Sequence, residues 1–281
     1  MCNNLYSLHF IADDYCMSTH IKQPLSVELP PVNNVSPTSV FRWLALGWGD
    51  LRQAGTPSLL HGVIVSAFSL VMAVIMLSNW VLLPGAFSGF LLIGPILATG
   101  LYALSRKIEQ GGRSSFKDVI HAWRQGGRCL FVFGLILIIS ATAWVIFSEL
   151  IFFFLIDVNV KQPLDFLRYV VSQDDTVFLL WTLLGGLGTA LVFAISVVSI
   201  PLLVERDVNT RLAILTSVRA VGRNPITMLW WSMMILFITG LSFITLMLGF
   251  IVLYPLLGHA SWHVYRDMID ASKLPLRPEI E

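Results

Sequence analysis

Between Arg223 and Arg266 the chain runs for 42 residues without a lysine, arginine, aspartate or glutamate. As one α-helix that run would be roughly 63 Å long, about twice the roughly 30 Å thickness of a bilayer's hydrocarbon core. Two apolar helices joined by a tight turn near residues 240–248 fit it better than one span with a large tilt. The rest of the chain agrees with a lipid setting. Only 12% of the 281 residues are charged, against about 25% in soluble domains, and the mean hydropathy is +0.77. Too few charges are present to cover a water-soluble surface, and too many apolar residues for a disordered chain. The net charge of +1 gives no electrostatic reason for a nucleic-acid partner. The fold class expected is all-α, a polytopic transmembrane helix bundle whose partner is the lipid bilayer.

Apolar runs at 58–78, 87–104, 130–156 and 177–204, with the two halves of 224–265, predict six spans. Residues 1–40 carry Pro24, Pro30, Pro31 and Pro37 and lack the long apolar core of a signal peptide, so they read as a disordered tail. Residues 41–265 read as one membrane domain and 266–281 as a C-terminal tail. With six spans, 16 of the 18 positive charges fall on the side of both tails and only Lys161 and Arg168 on the other. With five spans the split is 13 to 5. Positive charge marks the cytoplasmic side, so the expected location is the bacterial inner membrane with both termini in the cytoplasm.

A repeat is visible inside the apolar content. Gly94-Pro95-Ile96-Leu97 in the second span aligns with Tyr254-Pro255-Leu256-Leu257 in the sixth, and the alignment continues from Arg106 to Arg266. Pro201-Leu202-Leu203 lies at a similar depth in the fourth. Arg124-Gln125-Gly126-Gly127-Arg128 and Arg219-Ala220-Val221-Gly222-Arg223 precede the third and fifth spans, and a Trp43–Leu51 segment precedes the first. Apolar residues at helical spacing beside charges suit helices lying along the interface. The unit predicted is an interfacial helix plus a transmembrane hairpin, used at 41–105, 116–204 and 211–265. Pro95, Pro201 and Pro255 each remove a helix hydrogen bond. The freed carbonyls need partners, which leaves two readings open: packing kinks, or a vestibule lined by unwound backbone as in repeat-built transporters.

Few residues carry chemistry. His259 and His263 share a helix face and, with His61, form a candidate metal or haem site. The competing reading is an interfacial belt with Trp262, Tyr265 and Arg266. Glu149 is the one carboxylate within a span, a candidate for transport or for a structural role. Glu205-Arg206-Asp207 and Tyr265-Arg266-Asp267 are expected to ion-pair with the Arg-x-x-Gly-Arg segments. No Ser/His/Asp arrangement can be placed from sequence. Cys2, Cys16 and Cys129 make no C-x-x-C or Cys/His metal spacing, and no cofactor is expected.

The combination of Trp43-Leu44, Gly47-Trp48-x-Asp50-Leu51, Gly94-Pro95 to Ser105-Arg106, Ser199-Ile200-Pro201-Leu202-Leu203 with Arg206-Asp207, Thr216-Ser217-Val218-Arg219 with Asn224-Pro225, and Pro255-Leu256-Leu257-Gly258-His259-Ala260-x-Trp262-His263-x-Tyr265-Arg266-Asp267 resembles an uncharacterised family of bacterial integral membrane proteins, over about residues 41–270. The resemblance implies a membrane class and no catalytic residues. Members sometimes carry the label cytochrome c oxidase subunit I, but a haem–copper core needs more intramembrane histidines than His61, His259 and His263 supply. The hairpin repeat also resembles, in architecture alone, the membrane domains of some glycerophosphodiester phosphodiesterases.

The function expected is a multi-pass inner-membrane protein, a non-catalytic scaffold, assembly or envelope factor rather than an enzyme. It would work with membrane-protein partners or as a homo-oligomer. One alternative is a transporter or channel for a small or lipid-like solute; a second is a haem- or metal-binding respiratory accessory protein. A C-terminal fusion to a reporter active only in the cytoplasm is expected to be active under six spans. Activity of a phosphatase that needs the periplasm, fused at the same point, would contradict it.

Overall fold

The structure, a computed structural model, describes residues 28–76, 94–125, 127–155 and 176–277. Within them the helices are α1 (Ser39–Ala54), α2 (Thr56–Met76), α3 (Thr99–Glu109), α4 (Phe116–Gln125), α5 (Gly127–Leu155), α6 (Thr176–Ser196), α7 (Ser199–Glu205), α8 (Thr210–Arg223), α9 (Pro225–Ile244) and α10 (Phe250–Met268). Extended pairing among the described residues is limited to two isolated bridges. Among the described residues four stretches are long and apolar enough to cross a membrane: Thr56–Ile75, Arg128–Ile151, Thr176–Glu205 and Pro225–Ile244. They coincide with the expected first, third, fourth and fifth spans. Of the second, 87–104, residues 87–93 lie outside the described ones, and 94–104 form a helical turn and the start of α3, which are not among the four. The sixth corresponds to α10, a 19-residue helix whose second half carries His259, His263, Arg266 and Asp267 and which is not among the four.

The uncharged run does split in two. After α9 the chain turns through Thr245–Gly249, with Leu246 and Met247 both in the left-handed region at φ 51° and 65°. This conformation is uncommon for residues with a Cβ. The turn is held by Met247 N–H donating to the Ser242 carbonyl at 2.9 Å and by Ser66 Oγ–H donating to the Met247 carbonyl at 2.9 Å.

α1 and α2 lie antiparallel to α10 along its whole length. Trp43 meets Asp267, Gly47 meets Ala260, Ser58 meets His259, Gly62 meets Ile251 and Ser66 reaches Met247. A bend at Gly55, φ 61°, with Pro57 in the first turn of α2, lets two helices follow one. The Trp43–Leu51 segment is thus a packed helix. Its apolar spacing buries Trp43, which meets Asp267 of α10, and Leu51, while Phe41, Leu46 and Trp48 stay exposed on its other side.

The densest packing is at one end, where α1, α3, α7, α8 and α10 meet around Trp43, Leu101, Leu104, Ile200, Leu202, Leu203, Trp262 and Tyr265, all buried. Three of the four apolar stretches bury a third or less of their residues inside the protein. The molecule is therefore a tight base from which apolar helices extend.

Residues 28–40 depart from the tail expected of them. Val32 bridges Ile269, Asn33 N–H donates to the Met268 carbonyl at 2.8 Å, and α1 begins at Ser39. Asp270 N–H donates to the Pro31 carbonyl at 3.1 Å, and residues 269–277 pack beside α7 through Asp207 N–H to Pro275 O and Arg277 N–H to Glu205 O. The prolines that forbid helix suit these extended straps. Residues 1–27 lie outside the described ones.

A Cβ added at Gly62 would stand 2.2 Å from the Ile251 carbonyl oxygen, whereas one at Gly188 meets nothing within 4 Å. Gly62→Ala is expected to lower stability in detergent by about 1–3 kcal/mol through overpacking. Gly188→Ala should be neutral, and equal effects in an unfolding titration would contradict the α2–α10 contact.

Candidate functional site

At the joint of α1, α2, α3 and α10 a series of side chains is linked by hydrogen bonds. Asp50 on α1 faces the second half of α10; its Oδ2 lies 2.6 Å from Ser105 Oγ and 2.9 Å from His263 Nε2. Ser105 Oγ lies 2.7 Å from His259 Nδ1, and His259 Nε2 lies 2.8 Å from Ser58 Oγ. Proton accounting gives the series a direction. An ionised Asp50 only accepts, so the single hydrogen of Ser105 goes to it. Ser105 then accepts from His259 Nδ1–H, and the lone pair left on Nε2 accepts from Ser58. His263 donates Nε2–H to the same Asp50 oxygen. Ser58, Ser105 and His259 are fully buried, while Asp50 and His263 keep a small exposed edge.

His259 and His263 therefore do share a face, as their spacing predicts, and that face is turned onto Asp50 and Ser105. His61 is placed apart from them. Its Nε2–H donates to the Leu97 carbonyl at 2.9 Å, and its ring stacks on Tyr254 with centroids 6.0 Å apart. Among the described residues no group of three or more His, Cys, Asp or Glu side chains is arranged to hold a metal. A Ser/His/Asp arrangement is present after all, as Ser58–His259–Ser105–Asp50. Its members come from four helices, with bonded neighbours up to 201 residues apart, which is why no local motif announces it. A hydroxyl beside an imidazole that a third group orients is the layout of an activated nucleophile. Here Ser58 is wholly enclosed among the described residues, and the series links α1, α2, α3 and α10. Asp50 and Ser105 were nonetheless within reach of sequence reasoning, as polar residues inside the family-like motifs Gly47–Leu51 and Gly94–Arg106.

The three prolines occupy unlike positions. Pro95 lies in a helical turn, 94–97, that breaks at Ala98 before α3. Pro201 sits in the first turn of α7, where a missing N–H is tolerated. Pro255 lies inside the unbroken α10. Carbonyls at these places are taken by protein groups. Tyr254 O–H donates to Gly94 O at 2.9 Å, Thr99 Oγ1–H to Ile96 O at 2.6 Å and His61 to Leu97 O. Ser217 Oγ bridges the α6–α7 break, donating to Ala194 O at 2.7 Å and accepting from Val198 N–H at 3.1 Å. The Ile251 carbonyl, freed by Pro255, faces Gly62.

A second polar cluster closes the base. Glu205 accepts from Tyr265 O–H, from Arg206 Nε at 3.1 Å and from Arg266 at 3.2 Å. Arg266 also pairs with Glu109 at 2.9 Å, and Trp262 Nε1–H donates to Glu109 at 3.0 Å. Asp267 pairs with Arg42 and accepts from Trp43 Nε1–H. Glu205, which ends α7, thus draws partners from α10, and Asp267, near the end of α10, draws them from α1, in place of the Arg-x-x-Gly-Arg segments expected. Asn224 fastens the N-terminal strap, accepting from Val35 N–H at 2.9 Å and donating to Asn33 O at 3.0 Å. Glu149 lies far along α5, half-buried, and its Oε2 is enclosed without a hydrogen-bond partner among the described residues. Its neighbour Ser148 accepts from Trp181 Nε1–H at 3.0 Å.

Apolar helices rising from a polar, internally bonded base define an integral membrane protein. Residues 82–205 match the model of the family described as "Predicted integral membrane protein (DUF2189)", a membrane domain of unknown function, in keeping with the resemblance seen in the sequence. Searches of curated proteins and of solved structures return no match.

Ser105→Ala removes both a donor to Asp50 and the acceptor for His259, and is expected to cost about 2–3 kcal/mol. Ser58→Ala ends the series one link early and should cost about 1 kcal/mol. Unfolding of the two variants in one detergent gives this order; the reverse order would contradict the central place of Ser105 in the series.

Proposed function

We propose that this integral membrane protein is a non-catalytic scaffold, an assembly or envelope factor of the bacterial inner membrane. It crosses six times, on a threefold plan of amphipathic helix plus hairpin, with both termini in the cytoplasm. The observation that carries the reading is the consumption of polar groups. The hydroxyl, imidazole and carboxyl groups of Ser58, His259, Ser105, Asp50 and His263 bond one another across four helices. What the protein offers outward is apolar helix surface, such as Phe131, Phe153, Leu187, Phe237 and Ile244. Such surface suits membrane-protein partners or a second copy of the chain, and the role needs no metal or haem.

A second reading, transport of a small or lipid-like solute, is favoured by Glu149. An ionisable group inside a span is expensive to keep and functional by default, and its enclosed Oε2 supports that view. The two readings part at one substitution. In a strain lacking the gene, Glu149→Gln at wild-type abundance restores the phenotype fully if the protein is a scaffold. Loss of complementation with normal abundance would overturn the scaffold reading in favour of transport.

A further inference from the structure

The charges at the base are sorted in a way that net charge hides. Every carboxylate on α1, α3, α4, α7 and α10 is bonded to the protein. Asp50 holds Ser105 and His263; Glu109 holds Arg266 and Trp262; Asp118 accepts from Ser115 N–H; Glu205 holds Tyr265, Arg206 and Arg266; Asp267 holds Arg42 and Trp43. The cations are not all used up. Lys117 and Arg124 on α4, and Arg211 and Arg219 on α8, are exposed and make no ion pair among the described residues. α8 carries no acidic residue at all.

These cations share helix faces with exposed apolar side chains. On α4, Ile120 stands one turn from Lys117 and Arg124; on α8, Leu215 and Val218 stand between Arg211 and Arg219. The opposite face of each helix is fixed to the base, through Val119 and Ala122 in one case and Leu212, Ala213, Thr216 and Ala220 in the other. A helix anchored on one side, with apolar residues flanked by free cations on the other, is placed to lie where acyl chains meet headgroups.

We propose that α4 and α8 form a recognition surface for anionic phospholipid headgroups, lipids bearing a phosphodiester and a net negative charge, in the leaflet at the base. The inference rests on the bilayer location and not on the scaffold role. The acids of α1, α3, α4, α7 and α10 are spent on internal bonds, and among the described residues none pairs with these four cations, which leaves them free for lipid phosphate. Long-range attraction to an anionic surface is worth on the order of fivefold in affinity per cation near it, and it fades as salt shortens the screening length.

The test uses the full chain reconstituted in phosphatidylcholine vesicles with a minor share of phosphatidylglycerol. Spin-labelled forms of both lipids serve as probes of the motionally restricted shell around the protein. The expected result is a several-fold preference for phosphatidylglycerol, reduced at about 1 M salt, where screening acts within about 3 Å. The preference should be lost in the combined Lys117→Gln, Arg124→Gln, Arg211→Gln, Arg219→Gln variant and kept when the three arginines become lysine. The proposal is overturned if the wild-type protein shows no preference, if salt leaves the preference intact, if the glutamine variant retains it, or if inorganic phosphate displaces the lipid. Should the glutamine variant not fold, the salt and phosphate titrations of the wild-type protein decide alone.

Discussion

One hydroxyl sets the arrangement of the base. Ser105 has a single hydrogen to give; by giving it to Asp50 it must accept from His259, and with one ring proton His259 in turn accepts from Ser58. Each bond joins a different pair of helices. In a medium of low dielectric an unmade hydrogen bond of this kind is expensive, and a polar series is worth keeping only when every member is satisfied. The helices α1, α2, α3 and α10 are therefore positioned by a condition that admits few alternatives, whereas the apolar faces around them would tolerate many.

The same accounting explains the breaks. Proline and the kinked backbone near Ala98 and Val198 release carbonyls that lipid cannot satisfy. Each described break has a donor brought to it from another helix: Tyr254 and His61 for the turn before α3, Ser217 for the α6–α7 junction. At Pro255, where no donor arrives among the described residues, Gly62 lets a second backbone approach the Ile251 carbonyl closely. The breaks are thus points of attachment between helices, which accounts for the packing density at this end and the sparse packing toward the other.

What was legible in the sequence follows from what the solvent imposes. Lipid requires long apolar helices, so runs such as 130–156 and the division of 224–265 are written in composition, and α5, α9 and α10 appear where those runs lie. Partner choice is not written that way. The bonds that His61 and the Ser58–His263 series make join residues 36 to 213 positions apart, and a serine in an apolar helix looks the same whether it bonds its own turn, as Ser69 does, or a distant histidine, as Ser58 does. The helical spacing of Trp43, Gly47 and Leu51 carries no sign of the partner on that face; only the 2.6 Å that would separate a Gly47 Cβ from the Ala260 nitrogen shows that α10 packs there. The histidine pair was located correctly by its four-residue spacing, but its partners, a serine and an aspartate on other helices, had no local signature. The straps 28–38 and 269–277 were hidden because prolines that exclude helix look alike in loose tails and in packed extended chain.

The central claim is that His259 is a neutral link with its proton on Nδ1, passing direction from Ser58 toward Asp50. Nitrogen-15 NMR of the ring in protein reconstituted in lipid reads this directly, with His259→Gln to assign the signal. The account predicts at neutral pH one protonated nitrogen, Nδ1, coupled to Ser105, and an unprotonated Nε2 shifted by an accepted hydrogen bond. A proton found on Nε2, or on both nitrogens, would contradict it.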